Sequence, residues 1–351
     1  MPDAKYAFAS AYLKSAEARV LNTEHIDKMS RISNIQDVAS GVREVLGIIG
    51  DTEAGRYLEA ALVKSFDDVD STLWRYLNEC FARLEWLKLL PKDMRRVLRT
   101  YIVKYDVTNI KAALRGITLG KPAKLIPVGQ IYVQGMLDEL AAVEDVGDII
   151  GVLTACRLGD YADILRGQPE PDRSSVFLTE AKLEGRYHDN LLAAARKVTD
   201  GALLVRVFSI IIDMANLALI SRAVIEERGA AAGDFIIGGG YLISEAVAKE
   251  VLAHKLADLP DLMGIAQYRE IADELVAGYG RAKSIAVVED IVDKYGFRLL
   301  KEMLSPRVLT PLVLVWYLVI KEVEIRNLRL ILKATLDAVP LEEIKEYLVS
   351  A

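Results

Sequence analysis

One polar triplet recurs three times inside otherwise apolar segments, and it constrains this chain more than anything else in it. The middle occurrence lies in ALLVRVFSIIIDMANLALISRAVIE, residues 202–226, and comprises Asp213, Asn216 and Arg222. An earlier one, YDVTNIKAALRG, carries Asp106, Asn109 and Arg115; a later one, KEVEIRNLRLILKA, carries Glu324, Asn327 and Lys333. In each, an acid is followed by an asparagine three residues on and a cation six beyond that. A leucine or isoleucine follows the asparagine (Ile110, Leu217, Leu328), and a small residue follows the cation (Gly116, Ala223, Ala334). Asn109, Asn216 and Asn327 are 107 and 111 residues apart, a regularity that indicates three copies of one module.

A chain of 351 residues exceeds a usual single domain, and the triplets divide it at 1–127, 128–238 and 239–351. Hydrophobic residues make up 52%, with few aromatics and only 10 prolines, which suits packed helices. The expected class is all-α, with three similar helical domains. The first should open on a helix from Ala4 to Leu21, with Tyr6, Ala9, Leu13, Ala16 and Val20 on one stripe.

A second element recurs after it. Met29, Ile32, Asn34, Ile35 and Val38 align with Leu140, Val143, Asp145, Val146 and Ile149, and with Leu256, Leu259, Asp261, Leu262 and Ile265. Asn34, Asp145 and Asp261 then read as helix starts, because a short polar side chain between apolar flanks can accept from a free amide of the first turn. Amphipathic charged helices are expected at Glu59–Trp86, Glu180–Val198 and Val287–Leu304, with Glu180, Leu183 and Glu184 answering to Glu289, Val292 and Asp293. The Gly-containing stretches Arg115–Val133 and Arg228–Ile243 read as linkers, in which glycine ends a helix in the left-handed conformation.

Acid and asparagine three apart share one helix face. An amide among Ile, Leu and Ala is expected to be buried and paired, since an unpaired one costs about 1–3 kcal/mol. The small residue seven beyond lets another helix approach, and the cation lies toward the helix C-terminus, where the macrodipole favours it. The triplets thus read as residues that fix the register of each module.

The two most apolar segments, 202–220 and Leu309–Ile320, are interrupted or ended by charges, so both read as buried helices rather than membrane spans. The N-terminal stretch lacks the pattern of a signal peptide, and a cytoplasmic location is the expectation. Cys80 and Cys156 fall at non-corresponding places and read as reduced, packed thiols. The net charge of −6 argues against a nucleic-acid partner, and Arg95, Arg96 and Arg99 read as a solvated helix face.

Chemistry is hard to place on this chain. His25, His188 and His254 are far apart, with no ligand-spaced partners. The stretch GYGRAKS, Gly278–Ser284, and the triple glycine Gly238–Gly240 lack the context of a phosphate loop, and no nucleophile elbow is present. No catalytic, cofactor-binding or metal-ligating residue is assigned.

The triplicate helix, the Gly-rich steps and above all the KEVEIRNLRLIL segment make the whole chain resemble the C subunit of the A/V-type rotary ATPases, homologous to the d subunit of the eukaryotic vacuolar ATPase. The chain departs in Lys333, where the other two copies have arginine, and in the longer charged segment of the first copy. The resemblance implies a pseudo-threefold funnel without catalytic chemistry. It would sit on the membrane ring of proteolipid subunits, peripheral to the bilayer, and receive the foot of a central shaft of D- and F-type subunits. A helical-repeat scaffold for soluble partners is the alternative, although solenoid periods of about 20–50 residues are shorter than the spacing here.

Overall fold

A computed structural model describes residues 6–32, 38–61, 65–86, 90–167, 176–227, 232–263 and 266–349. All regular structure among them is helical, as expected. Two compact units divide the chain: residues 1–98, 126–128 and 301–351 form one, and 99–125 with 129–300 form the other.

In the first unit, α1 (Ala7–Glu17), α2 (Thr23–Met29), α3 (Val38–Ile49), α4 (Glu53–Ala60) and α5 (Phe66–Trp86) are followed by the beginning of α6 (Lys92–Leu119). The expected stripe of α1 is real: Tyr6, Ala9, Leu13, Ala16 and Val20 are all buried. The helix stops at Glu17, short of the expected Leu21, because Asn22 caps α2 by accepting from the His25 amide. Residues 59–86 are two helices rather than one, since α4 ends at Ala60 and α5 begins at Phe66.

The axis of this unit is the helix Leu312–Leu336, written α17 below. Every residue from Leu312 to Lys321 on it is buried, so its apolar run is covered on all sides, by α1, α3 and α5 among others. Helix begins three residues later than the apolar run does: Leu309 has φ +60°, and Pro311 occupies the N-cap. The C-terminal turn α18 (Leu341–Ile344) packs back on α17.

The second unit contains the rest of α6, then α7 (Gln130–Val133), α8 (Leu137–Ala141), α9 (Val146–Ala155), α10 (Gly159–Arg166), α11 (Val176–Arg196), α12 (Ala202–Ile225), α13 (Glu245–Leu252), α14 (Leu259–Leu262), α15 (Ala266–Ala282) and most of α16 (Ile285–Leu304). Here α12 is central. Its residues Met214, Leu217 and Ile220 join Leu259, Ile271, Leu275, Val288 and Val292 in one core, while α11 covers another side. Helix α11 also meets α6, where the Tyr187 hydroxyl donates to the Tyr101 carbonyl at 3.4 Å.

By length and composition α12 could cross a membrane. Its apolar residues Leu204, Val207, Phe208, Ile212 and Leu217 are instead covered by this chain, which makes it a core helix. Asp145 caps α9 as expected, accepting from the Asp148 amide at 2.9 Å. Asp261 does not play that role. It lies inside α14, whose start is set by Pro260 in the first turn, and accepts from Arg269 instead. Asn34 falls outside the described residues. The glycine-rich Gly278–Ser284 begins inside α15, where an added methyl at Gly278 would run into Ile291: this glycine serves close helix packing, not phosphate binding.

Candidate functional site

The three triplets lie on α6, α12 and α17, the three longest helices described. Their acids and asparagines are all almost completely withdrawn from solvent.

Each acid accepts one or two backbone amides at, or just ahead of, the start of another helix. Asp106 takes the N–H groups of Gln130 and Ile131, both at 2.9 Å, at the first turn of α7. Asp213 takes those of Leu242 at 2.8 Å and Ile243 at 3.0 Å, just ahead of α13, and the Tyr268 hydroxyl at 2.8 Å. Glu324 takes the N–H of Leu21 at 2.9 Å, just ahead of α2. A carboxylate suits this work at Asp106, because the first amides of a helix have no partner within it and carry its positive pole.

The cost is desolvation. Burial pushes the Asp106 carboxyl up to about 7 despite its two amide donors, and burial also raises Asp213 and Glu324 above the usual carboxylate range. Glycine makes the approach possible: an added Cβ at Gly129 or Gly240 would collide with the carboxyl of Asp106 or Asp213 respectively, and Gly129 has φ +106°.

Asn216 and Asn327 each hold backbone with both ends of the amide. The Asn216 amide donates to the Ile237 carbonyl at 2.8 Å and accepts from its N–H at 2.9 Å. Asn327 does the same with Val349, at 2.7 and 3.1 Å. Such a pair mimics a strand bond and leaves neither side unpaired. In the first copy the small residue beyond the cation admits backbone, for an added methyl at Gly116 would meet the Lys121 carbonyl.

The cations point elsewhere. Arg115 makes a two-pronged pair with Glu180 on α11, at 2.6 and 2.5 Å, and Arg222 pairs with Glu289 on α16. Lys333 pairs with Asp337 at 2.8 Å and lies 5.3 Å from the centroid of the Phe66 ring on α5. Four residues before the cation, Lys111 pairs with Glu184, and Arg329 pairs with Asp70 at 2.5 Å.

The sequence reading misses a buried polar group around Glu324. Lys321, fully enclosed, donates to the Tyr76 hydroxyl at 2.6 Å and to Glu324 at 2.9 Å, and lies 3.6 Å from Glu53. Glu53 is held in turn by Arg83. Burial works against the Lys321 charge, but the carboxylates beside it prevail and raise its pKa. The available signal was the three-residue spacing of Lys321 and Glu324, which places both on one face.

Other titratable groups are packing residues. Cys80 and Cys156 are buried free thiols, and burial pushes Cys80 up to about 11. His188 is buried against Tyr187, which lowers its pKa to about 4 and leaves the imidazole neutral. His25 completes the cap of α2 and bonds Asp51 at 2.9 Å. Among the described residues no cluster of His, Cys, Asp and Glu is arranged to hold a metal ion.

Comparison with known proteins gives this scaffold a context. The model of the family described as "ATP synthase (C/AC39) subunit" matches residues 9–347. The C subunit of the A-type ATP synthase of Methanocaldococcus jannaschii is 25% identical over 99% of this chain and 87% of its own length. Those of Methanobrevibacter smithii and Pyrococcus abyssi are 23% and 24% identical, over 98% and 97% of this chain and 88% and 89% of their own lengths. A match that runs through all three triplet helices places the chain in the ATP synthase (C/AC39) subunit family, and hence among the subunits of the A/V-type ATPases.

Proposed function

We propose that the chain is the central-stalk subunit of an A/V-type rotary ATPase, coupling the rotating shaft to the membrane proteolipid ring while ions cross the membrane. Its role is structural and non-catalytic, in keeping with the family to which it belongs. The observation that carries the reading is the family match over nearly the full chain, together with polar triplets spent on holding backbone and helix ends. In this reading the partners are the D- and F-type shaft subunits on one side and the proteolipid ring on the other. The protein stands at the cytoplasmic face, peripheral to the bilayer.

Three modules, 1–127, 128–238 and 239–351, arranged as a pseudo-threefold funnel, would give a cavity for the foot of the shaft. The contacts to it are proposed at Lys121–Gln130 and Gly229–Gly240, of which 229–231 lie outside the described residues. Polar contacts suit a coupler that must carry torque and still release. An acidic chain with net charge −6 also favours basic partner surfaces.

The experiment is a pull-down of the purified full chain against the shaft subunits and the detergent-solubilised ring, with salt varied. Binding to both, weakened by salt, is the expected result. Failure to bind either, with the protein folded, would overturn the coupling role and favour a scaffold for soluble partners. Cysteines placed in the two linkers should cross-link to the shaft; cross-linking confined to other surfaces would displace the contact site.

A further inference from the structure

The triplet contacts form a repeating series. Asp106 on α6 holds the start of α7, Asp213 on α12 holds the approach to α13, and Glu324 on α17 holds the approach to α2. The cations follow the same order. Arg115 on α6 reaches α11, Arg222 on α12 reaches α16, and Lys333 on α17 lies over Phe66 on α5. Even the spacing matches: Lys111 with Glu184 and Arg329 with Asp70 each sit four residues before the cation and four after its partner.

Two of these junctions are bridged by nearby chain. The acid and the amides it holds are separated by 24 and 25 residues at Asp106 and by 29 and 30 at Asp213. The third joins residues 303 apart and has no linker. It also differs chemically, for Glu324 receives one backbone amide where Asp106 and Asp213 receive two. Three residues before the acid, the first two helices carry Val103 and Ile210, and the third carries the enclosed Lys321.

We propose that Lys321 is a clasp specific to this junction. Its ammonium group supplies the donor to Glu324 that a peptide linker supplies elsewhere, and extends to Tyr76 and Glu53, so that Lys321 pins α17 to α4 and α5 while the Glu324 it holds takes the Leu21 amide just ahead of α2. The stretch from α1 to α2 is then a strap whose junction with α17 is closed by charge, beside the apolar packing of α1, rather than by covalent continuity, and it opens as a unit when the clasp is broken. Three further contacts tie it to the C-terminal part of the chain: Lys14 to the Ser305 carbonyl at 3.1 Å, the Leu309 amide to Ser10 at 3.0 Å, and Lys345 to Asp27 at 3.2 Å. All three are less buried than the clasp.

Amide hydrogen exchange on the full chain tests this, comparing peptides that cover 19–29, 129–136 and 241–248. K321M strands a buried carboxylate and E324Q takes from the buried ammonium group its nearest carboxylate, so each should speed exchange in 19–29 by about tenfold or more, with the other two segments little changed. The double variant K321M/E324Q removes both charges and keeps an acceptor for the Leu21 amide, so exchange should return toward the parent rate. Equal acceleration in all three segments, an unchanged 19–29 segment, or a double variant as fast as the two single effects combined would overturn the clasp. Should K321M not fold, the parent protein in graded denaturant decides: 19–29 should open in a separate step, before the other two. Simultaneous opening of all three refutes the proposal.

Discussion

Asn216 and Ile237 exchange two hydrogen bonds, the side-chain amide of one giving and taking what a strand neighbour would give and take from the other. Both groups are buried. The stretch leading to Gly238–Gly240 therefore runs along α12 at a fixed height and brings Leu242 and Ile243 to Asp213. Replacing the amide by a methyl leaves a buried N–H and C=O unpaired. N216A should lose about 2–4 kcal/mol in denaturant unfolding, with hydrogen exchange rising first at the Ile237 amide. N216D should be no better, because a carboxylate cannot donate to the carbonyl.

Asp106 and His188 set opposite pH trends in the second unit. The Asp106 carboxyl, with a folded pKa of about 7 against an ordinary 3.8, stays protonated in the folded chain where the unfolded chain has ionised. Its contribution is fully present below about 4 and fades as pH rises through 7. His188, lowered to about 4 from 6.5, does the reverse: its contribution is present above 6.5 and is lost as pH falls through 4. Each supplies a slope of at most roughly 1.4 kcal/mol per pH unit. Relative to the parent, D106N should make stability fall more steeply as pH drops from 6.5 to 4.5, and H188Q should make it fall less. Urea titrations at several pH values check both signs.

The two arginine pairs are chemically alike and differ in burial. Glu180 is 7% exposed at its side chain and Glu289 57%. R115A strands an enclosed carboxylate and should lose about 1–3 kcal/mol, whereas R222A breaks a solvated pair worth about 0–1 kcal/mol. The difference should survive raised salt, which weakens only the exposed pair. Thermal unfolding of the two variants at low and high salt is the measurement.

Gly240 and Gly185 should respond oppositely to alanine. An added methyl at Gly240 meets the Asp213 carboxyl and the Ile243 carbonyl, so G240A pushes the acid off its amides and should lose about 1–3 kcal/mol. At Gly185, within α11, nothing lies within 4 Å. G185A should gain about 0.5–1 kcal/mol through helix propensity alone. Equilibrium unfolding reads both.

The helical class was legible because period and composition agree over long segments, and the α1 stripe and the apolar α12 fall where 3.6-residue spacing puts them. Burial of the asparagines was legible too, since their neighbours are aliphatic. Their partners were not. Ile237 and Val349 are ordinary apolar residues, and nothing in their type marks the backbone that an amide will hold. Lys321 was hidden for a related reason. A lysine ahead of Glu322 at the end of an apolar run reads as the place where a helix meets water, and the packing of α4 and α5 beside it is not visible in its neighbours. Asp261 was misread because an aspartate flanked by apolar residues is a helix start only if no proline fixes an earlier one. The split between α4 and α5 escaped because a charged amphipathic pattern can continue from one helix into the next.

Before α11 and α16 fold against it, α12 is a 24-residue apolar segment that a bilayer could accept. Asp213 and Asn216 lie near its middle, where an aspartate alone costs about 2.5–3.5 kcal/mol on insertion. The acid that receives backbone amides in the finished protein thus also biases the nascent chain away from the lipid phase and toward its own core.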